Sequence, residues 1–184
     1  MGRNISTNTK LTLGIAARLA EEKGVEYLLE AIPLIEDNIK KEVDLLIAGP
    51  IEPVGEEKYK NKIMNLVKHM GNKVKFLGIL GQKELRNFYG SIDILVLPSV
   101  NSTEAFGMVQ VEAMLQGTPV VASNLPGVRI PILKTKMGEL AEPKNAKSLS
   151  EAISKVYRNK YVNTASKIFD INKSYEKYRV VILS

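Results

Sequence analysis

Short runs of β-branched residues and leucine alternate along the chain with longer stretches in which apolar residues recur every three or four positions. The short runs are 10–17 (KLTLGIAA), 43–48 (VDLLIA), 73–77 (KVKFL), 93–98 (DILVLP) and 119–123 (PVVAS). They are short and almost continuously apolar, which predicts strands covered on both faces, as in a parallel sheet. Between them, 25–38 sets Val25, Leu28, Leu29, Ile32 and Ile35 on one stripe, and 57–70 does the same with Tyr59, Ile63, Leu66, Val67 and Met70. Gly71 follows as the expected stop of that second helix. Segments 82–90 (QKELRNFYG) and 107–116 (GMVQVEAMLQ) predict two more helices. Right-handed crossovers between parallel strands would put helices on both faces. The expected fold is therefore α/β: a doubly wound, Rossmann-like parallel sheet with its ligand crevice at the carboxyl ends of the strands.

After Val121 the pattern loosens. SNLPGVRIPI reads as turns, MGELAEP as a short strand and loop, and 146–159 as an amphipathic helix, with a tail over 161–184 that looks helical with polar interruptions. Met64, Met70, Met108 and Met114 stand at helical positions beside other apolar residues and read as core. His69, the only histidine, has no cysteine or second histidine for company, so no metal site is expected.

Composition narrows the class. The 184 residues suffice for one domain with a sizeable core, and 45% apolar with 25% charged residues describes a soluble globular protein. There is no repeat, low-complexity tract or linker, so 1–184 reads as a single domain. No apolar run reaches the ~18 residues of a membrane span, and the start MGRNISTNTK has no signal-peptide core. The absence of cysteine fits a reducing compartment, and the expected location is the cytoplasm. The net charge of +6 admits nucleic acid, an anionic membrane face or a small anion as partner. Lys and Arg are dispersed, however, and seven tyrosines, four phenylalanines and no tryptophan form no recognisable binding motif, so nucleic acid is not expected.

Three features fall at predicted carboxyl ends of strands. GIAARLAEEKG follows the first strand and carries Arg18 and Lys23, a forked guanidinium and a mobile ammonium that together suit a diphosphate, although two solvated surface cations would look the same. It is no dinucleotide fingerprint, because the GxGxxG glycines are missing. FLGIL, at 76–80, ends the third strand with Gly78 and Gly81 close by, where a planar ligand could approach the backbone, or where the chain simply turns. The third is NSTEAFGMVQVEAMLQG, over 101–117. Gly107 opens a helix whose first amides form an anion site, and Glu104 in front of it is either a ligand contact or a helix cap. Glu112 lies among Val111, Ala113, Met114 and Leu115, which predicts burial. A buried carboxylate needs hydrogen-bond donors, and a ribose diol supplies two.

Glu104 and Glu112, separated by seven residues within LPSVNSTEAFGMVQVEAMLQGTPVVAS, resemble the E-x7-E motif of retaining glycosyltransferases of family four, which have the GT-B fold. GIAARLAEEKG is similar to that family's GRL-x-x-x-KG segment, with Ala17 where its glycine stands, and the resemblance runs to about Pro143. It implies that Arg18 and Lys23 hold the diphosphate of a nucleotide-sugar donor, that Glu104 accepts hydrogen bonds from sugar hydroxyls, and that the amides of Phe106, Gly107 and Met108 face the sugar and phosphates. Glu112 would bind the ribose diol, with Leu80 and Leu85 near the base. No cofactor or metal is implied beyond the donor itself.

A GT-B enzyme has two Rossmann-like domains, and the first holds the acceptor, a sugar, lipid or other glycan. Here the first strand starts at Lys10, so the expectation is a donor-binding C-terminal domain alone, inactive in transfer by itself. A peripheral contact with the inner membrane face would be compatible with lipid-linked acceptors. Two other classes stay open: a sugar phosphorylase or nucleotide-sugar epimerase of GT-B fold, and a non-catalytic nucleotide-binding module.

Overall fold

The computed structural model describes residues 9–52 and 54–169. Its centre is a six-stranded sheet in the order β3-β2-β1-β4-β5-β6. The strands are β1 (Lys10–Ala16), β2 (Glu42–Ala48), β3 (Val74–Gly78), β4 (Ile94–Leu97), β5 (Val120–Ser123) and β6 (Gly138–Ala141), and every neighbouring pair is parallel. The helices are α1 (Val25–Ile39), α2 (Glu57–Lys68), α3 (Gln82–Ser91), α4 (Met108–Leu115), α5 (Arg129–Thr135), α6 (Ala146–Arg158) and α7 (Ala165–Ile168).

Two cores, one on each face, follow from the two-residue period of the strands. Leu11, Leu13 and Ile15 of β1 join Ile94 and Val96 of β4 on the face covered by α1, α2 and α6. Leu95 and Leu97 point the other way, into a core built with Phe88 and Ile92 at α3, Met114 of α4 and Ile132 of α5. Gly14 lies on that second face of β1, where a Cβ would stand 2.4 Å from Ile92 Cδ1, so α3 approaches the strand more closely than any side chain would allow.

Several expectations are corrected. β3 is the sheet edge, with Lys75 and Leu77 exposed, so it is not covered on both faces. The segment read as turns after Val121 contains α5, because Pro131 occupies the first helical turn, where the missing N–H has no intrahelical acceptor to reach. The second helix stops at Lys68, and Gly71, with φ 58°, begins a short 3₁₀ turn instead of capping it. Of the four methionines, Met114 is buried and Met70 packs at the core edge, whereas Met64 and Met108 are exposed. In the tail only Ala165–Ile168 is helical up to residue 169, and 170–184 lie outside the described residues.

The order 3-2-1-4-5-6 makes β1 and β4 the pair from which the chain winds in opposite directions. A doubly wound fold has its ligand crevice outside the carboxyl ends of such a pair, where the loops that leave the two strands meet.

Candidate functional site

The loop after β1 is pinned from the β2 side: Ala17 N–H donates to Ala48 O at 2.9 Å, and Leu19 N–H to Pro50 O at 2.9 Å. One 3₁₀ turn, Glu21–Lys23, then leads through Gly24, at φ 63°, into α1. A Cβ on Gly24 would lie 2.2 Å from Pro98 O, so the β1 and β4 loops touch backbone to backbone. Val100 N–H donates to Glu22 O at 3.0 Å across the same junction.

The third tie is ionic. Lys23 Nζ donates to Glu104 Oε2 at 2.7 Å, with both side chains only 18% exposed. Two residues singled out separately in the sequence are thus partners across the crevice. Arg18 is not drawn into this pair; its guanidinium, 54% exposed, bonds Glu22 instead. The two cations therefore sit on one loop, each engaged by a different carboxylate.

The turn that carries Glu104 is held from the β5 side. A Cβ on Gly127 would stand 1.7 Å from Ala105 O, so that loop packs directly on the turn. Gln110, fully buried, donates from Nε2 to Phe106 O at 2.7 Å and to Val128 O at 2.9 Å. Gly107 caps α4 at φ 71° with Leu97 Cδ2 2.5 Å from where a Cβ would be, a position only glycine fills. The first amides of α4 have no intrahelical acceptors and carry the positive end of its dipole. Phe106 is half-buried there, and Met108 is 60% exposed.

A second hollow, about 380 Å³, lies between α3 and α4. Gln82, Leu85, Arg86 and Tyr89 line it from α3, and Glu112 and Leu115 from α4. Leu85 and Glu112, the expected base and ribose contacts, are thus brought into one groove, while Leu80 packs at the edge of the core beside them. Glu112 departs from expectation in one respect. It is half-buried at the groove wall, not enclosed, because α4 turns its 112 position toward α3 and away from the sheet. Its Oε2 accepts a 2.8 Å hydrogen bond from the Tyr89 hydroxyl. Burial, and then the Glu112 carboxylate, push the Tyr89 phenol well above its ordinary range.

Tyr89, Arg86 and Gln110 went unnoticed in the sequence. Positions 82, 85, 86 and 89 share one face of a helix, a stripe legible in QKELRNFYG once the partner helix is known. Gln110 gave the weaker signal of an amide among apolar neighbours in MVQVEAM. Among the described residues no three His, Asp or Glu side chains gather as a metal-binding group, and no helix is long and apolar enough to cross a membrane.

Chemically the crevice offers two cations, a helix amino end and a carboxylate on converging loops, with a half-apolar groove and a second carboxylate further along α4. This is a doubly wound half of the GT-B class. Residues 3–178 match the family of glycosyl transferases group 1, and the chain belongs to it. An uncharacterized glycosyltransferase of Methanocaldococcus jannaschii is 36% identical over 168 residues, 88% of this chain and 39% of that protein. Anabaena HepE in complex with UDP and glucose is similar in structure with a TM-score of 0.71 at 27% identity, over 82% of this chain and 40% of that one. The C-terminal domain of a glycosyl transferase group 1 family protein from Francisella tularensis shares the fold, with a TM-score of 0.67 at 22% identity and 81% of both chains covered. The chain looks like the C-terminal domain of a GT-B glycosyltransferase, and it spans about two-fifths of the length of the Methanocaldococcus relative.

Proposed function

We propose that this domain binds the nucleoside-diphosphate sugar from which a retaining glycosyltransferase transfers a hexosyl group, the acceptor being held by a further domain. The observation that carries this reading is the Lys23–Glu104 pair, 2.7 Å across the junction of the β1 and β4 loops. It puts a cation suited to phosphate and an acceptor suited to sugar hydroxyls side by side, with Glu104 three residues ahead of the Gly107 that caps α4. That HepE is complexed with UDP and glucose supports a uridine nucleotide sugar as donor.

As the sugar–phosphate bond loosens, negative charge builds on the leaving diphosphate. Arg18, Lys23 and the first amides of α4 would stabilise that charge electrostatically, an effect worth several kcal/mol when donors are oriented in advance. Arg18 and Lys23 exchange their present carboxylate partners, Glu22 and Glu104, for phosphate oxygens. Glu104, released from Lys23, turns to the sugar hydroxyls. Glu112, at the groove shared with Leu85, accepts the ribose diol. Glu104 and Glu112 are not a hydrolytic acid–base pair in this scheme, because they grip different parts of one ligand and do not flank one bond.

Isothermal calorimetry tests the reading. The chain is expected to bind UDP in the presence of a chelator, with affinity that falls as salt rises, because phosphate is held by side-chain cations and amides. No heat with UDP, ADP or GDP at millimolar concentration would contradict it.

A further inference from the structure

The Tyr89 hydroxyl is a polar group that the scheme above does not use. Its residue is 1% exposed, near the end of α3, and among the described residues the hydroxyl's one hydrogen bond is the one it gives to Glu112 Oε2 at 2.8 Å. Two contacts besides that bond hold the residue in place. The ring packs against Phe88, centroids 5.6 Å apart and tilted 59°. The Tyr89 carbonyl accepts from Thr118 Oγ1 at 2.5 Å, which ties the end of α3 to the turn after α4. Thr118 itself is fully buried. The phenol therefore meets α4 from a frame that Thr118 ties to the turn after α4.

Glu112 is the opposite kind of group. It is half-exposed at the groove wall, and its side chain has no other hydrogen bond among the described residues. A glutamate in that position has three side-chain torsions and, in water, several rotamers of similar energy. One charge-assisted hydrogen bond from a rigid donor selects among them. A carboxylate has about four acceptor positions, so one bond from Tyr89 leaves enough for the two hydroxyls of a diol. A protonated phenol can only donate toward Oε2, which keeps the carboxylate an acceptor toward any hydroxyl in the groove.

We propose that Tyr89 is a positioning residue for donor recognition: it holds the Glu112 carboxylate in the one orientation that accepts both hydroxyls of the ribose, and so gives the groove its preference for ribonucleotides over 2′-deoxyribonucleotides. This rests on the reading of Glu112 as the ribose contact and goes beyond it by assigning the residue that makes the contact selective. Tyr89 touches no ligand atom in this account. Its effect passes through Glu112 alone.

The test compares UDP with 2′-deoxyuridine 5′-diphosphate on the full 184-residue chain, its Tyr89→Phe variant and its Glu112→Gln variant. The wild type is expected to prefer UDP. Tyr89→Phe keeps the buried ring and is expected to lower UDP affinity about five- to tenfold while leaving the deoxy analogue within about twofold, the size of one lost charge-assisted bond acting at second hand. Glu112→Gln is expected to erase the preference. A Tyr89→Phe variant that keeps the full preference, while Glu112→Gln loses it, overturns the role of Tyr89 and leaves the ribose reading standing. Preference retained by Glu112→Gln, or absent in the wild type, overturns both. A purely structural tyrosine would lower the melting temperature and weaken the two ligands equally, which also counts against the proposal.

Discussion

Incubated with UDP-glucose and a glycan acceptor, the chain by itself is expected to release UDP at least about a thousandfold more slowly than the ~10 s⁻¹ typical of enzymes. The reason is positional. Effective molarities of ~10⁵–10⁸ M arise only when both reactants are held and water is excluded. The crevice described above opens on one side of a single sheet and offers groups for the donor. The match to the Methanocaldococcus relative spans 39% of that protein, the share that corresponds to this donor half. UDP release near 1 s⁻¹ with a defined acceptor, transferred by this polypeptide alone, would contradict the division into a donor half and an acceptor half.

Gly24→Ala is expected to destabilise the protein by about 3 kcal/mol, near the upper end for single substitutions. Part of that, about 1–2 kcal/mol, is the cost of a left-handed backbone for any residue with a Cβ. The rest comes from the 2.2 Å approach to Pro98 O, which cannot be relieved by a side-chain rotation because the atom belongs to the backbone. The β1 and β4 loops would have to part, loosening the Lys23–Glu104 pair with them. For a chain of this length the melting temperature should fall by roughly 6–12 °C. Gly71→Ala is the internal control. Gly71 has nearly the same backbone, φ 58° against 63°, but open space where the Cβ would go. Thermal denaturation of the two variants should separate them by the clash alone, and only Gly24→Ala should also weaken UDP binding. Equal losses for both would mean that the close approach of the loops contributes nothing.

Much of this was legible in the sequence because apolar periodicity and strand-end chemistry are local signals. The strands at 10–17 and 43–48 differ from Lys10–Ala16 and Glu42–Ala48 by a residue at an end, and α1 and α6 are bounded nearly as read. α5 was missed because Pro126, Gly127 and Pro131 look like turn residues, and only packing on the second core shows that the segment is helical. The edge position of β3 depends on strand order, which no local pattern carries. At the site, Arg18, Lys23, Glu104 and Glu112 were visible as charges near strand ends and on the helix that follows, but not their partners. That Lys23 reaches Glu104 while Arg18 turns to Glu22 is decided by the 3₁₀ turn at Glu21–Lys23, three residues with no sequence signature of their own. Glu112 looked enclosed because its sequence neighbours are apolar, yet the groove it faces is made by α3, some twenty-five residues earlier.

The central claim is that Glu112 holds the nucleotide and Glu104 the sugar of one donor molecule. Titrating UDP and UDP-glucose into the wild type, Glu104→Gln and Glu112→Gln by calorimetry, with melting curves beside them, tests it most directly. Glu112→Gln should weaken both ligands by about 1–3 kcal/mol each, the value of lost charge-assisted hydrogen bonds. Glu104→Gln should weaken UDP-glucose alone, and should leave UDP unchanged or slightly tighter, because Lys23 loses the carboxylate that now stands 2.7 Å away. Equal effects of the two substitutions on the two ligands, or lower melting temperatures with no change in affinity, would contradict the account.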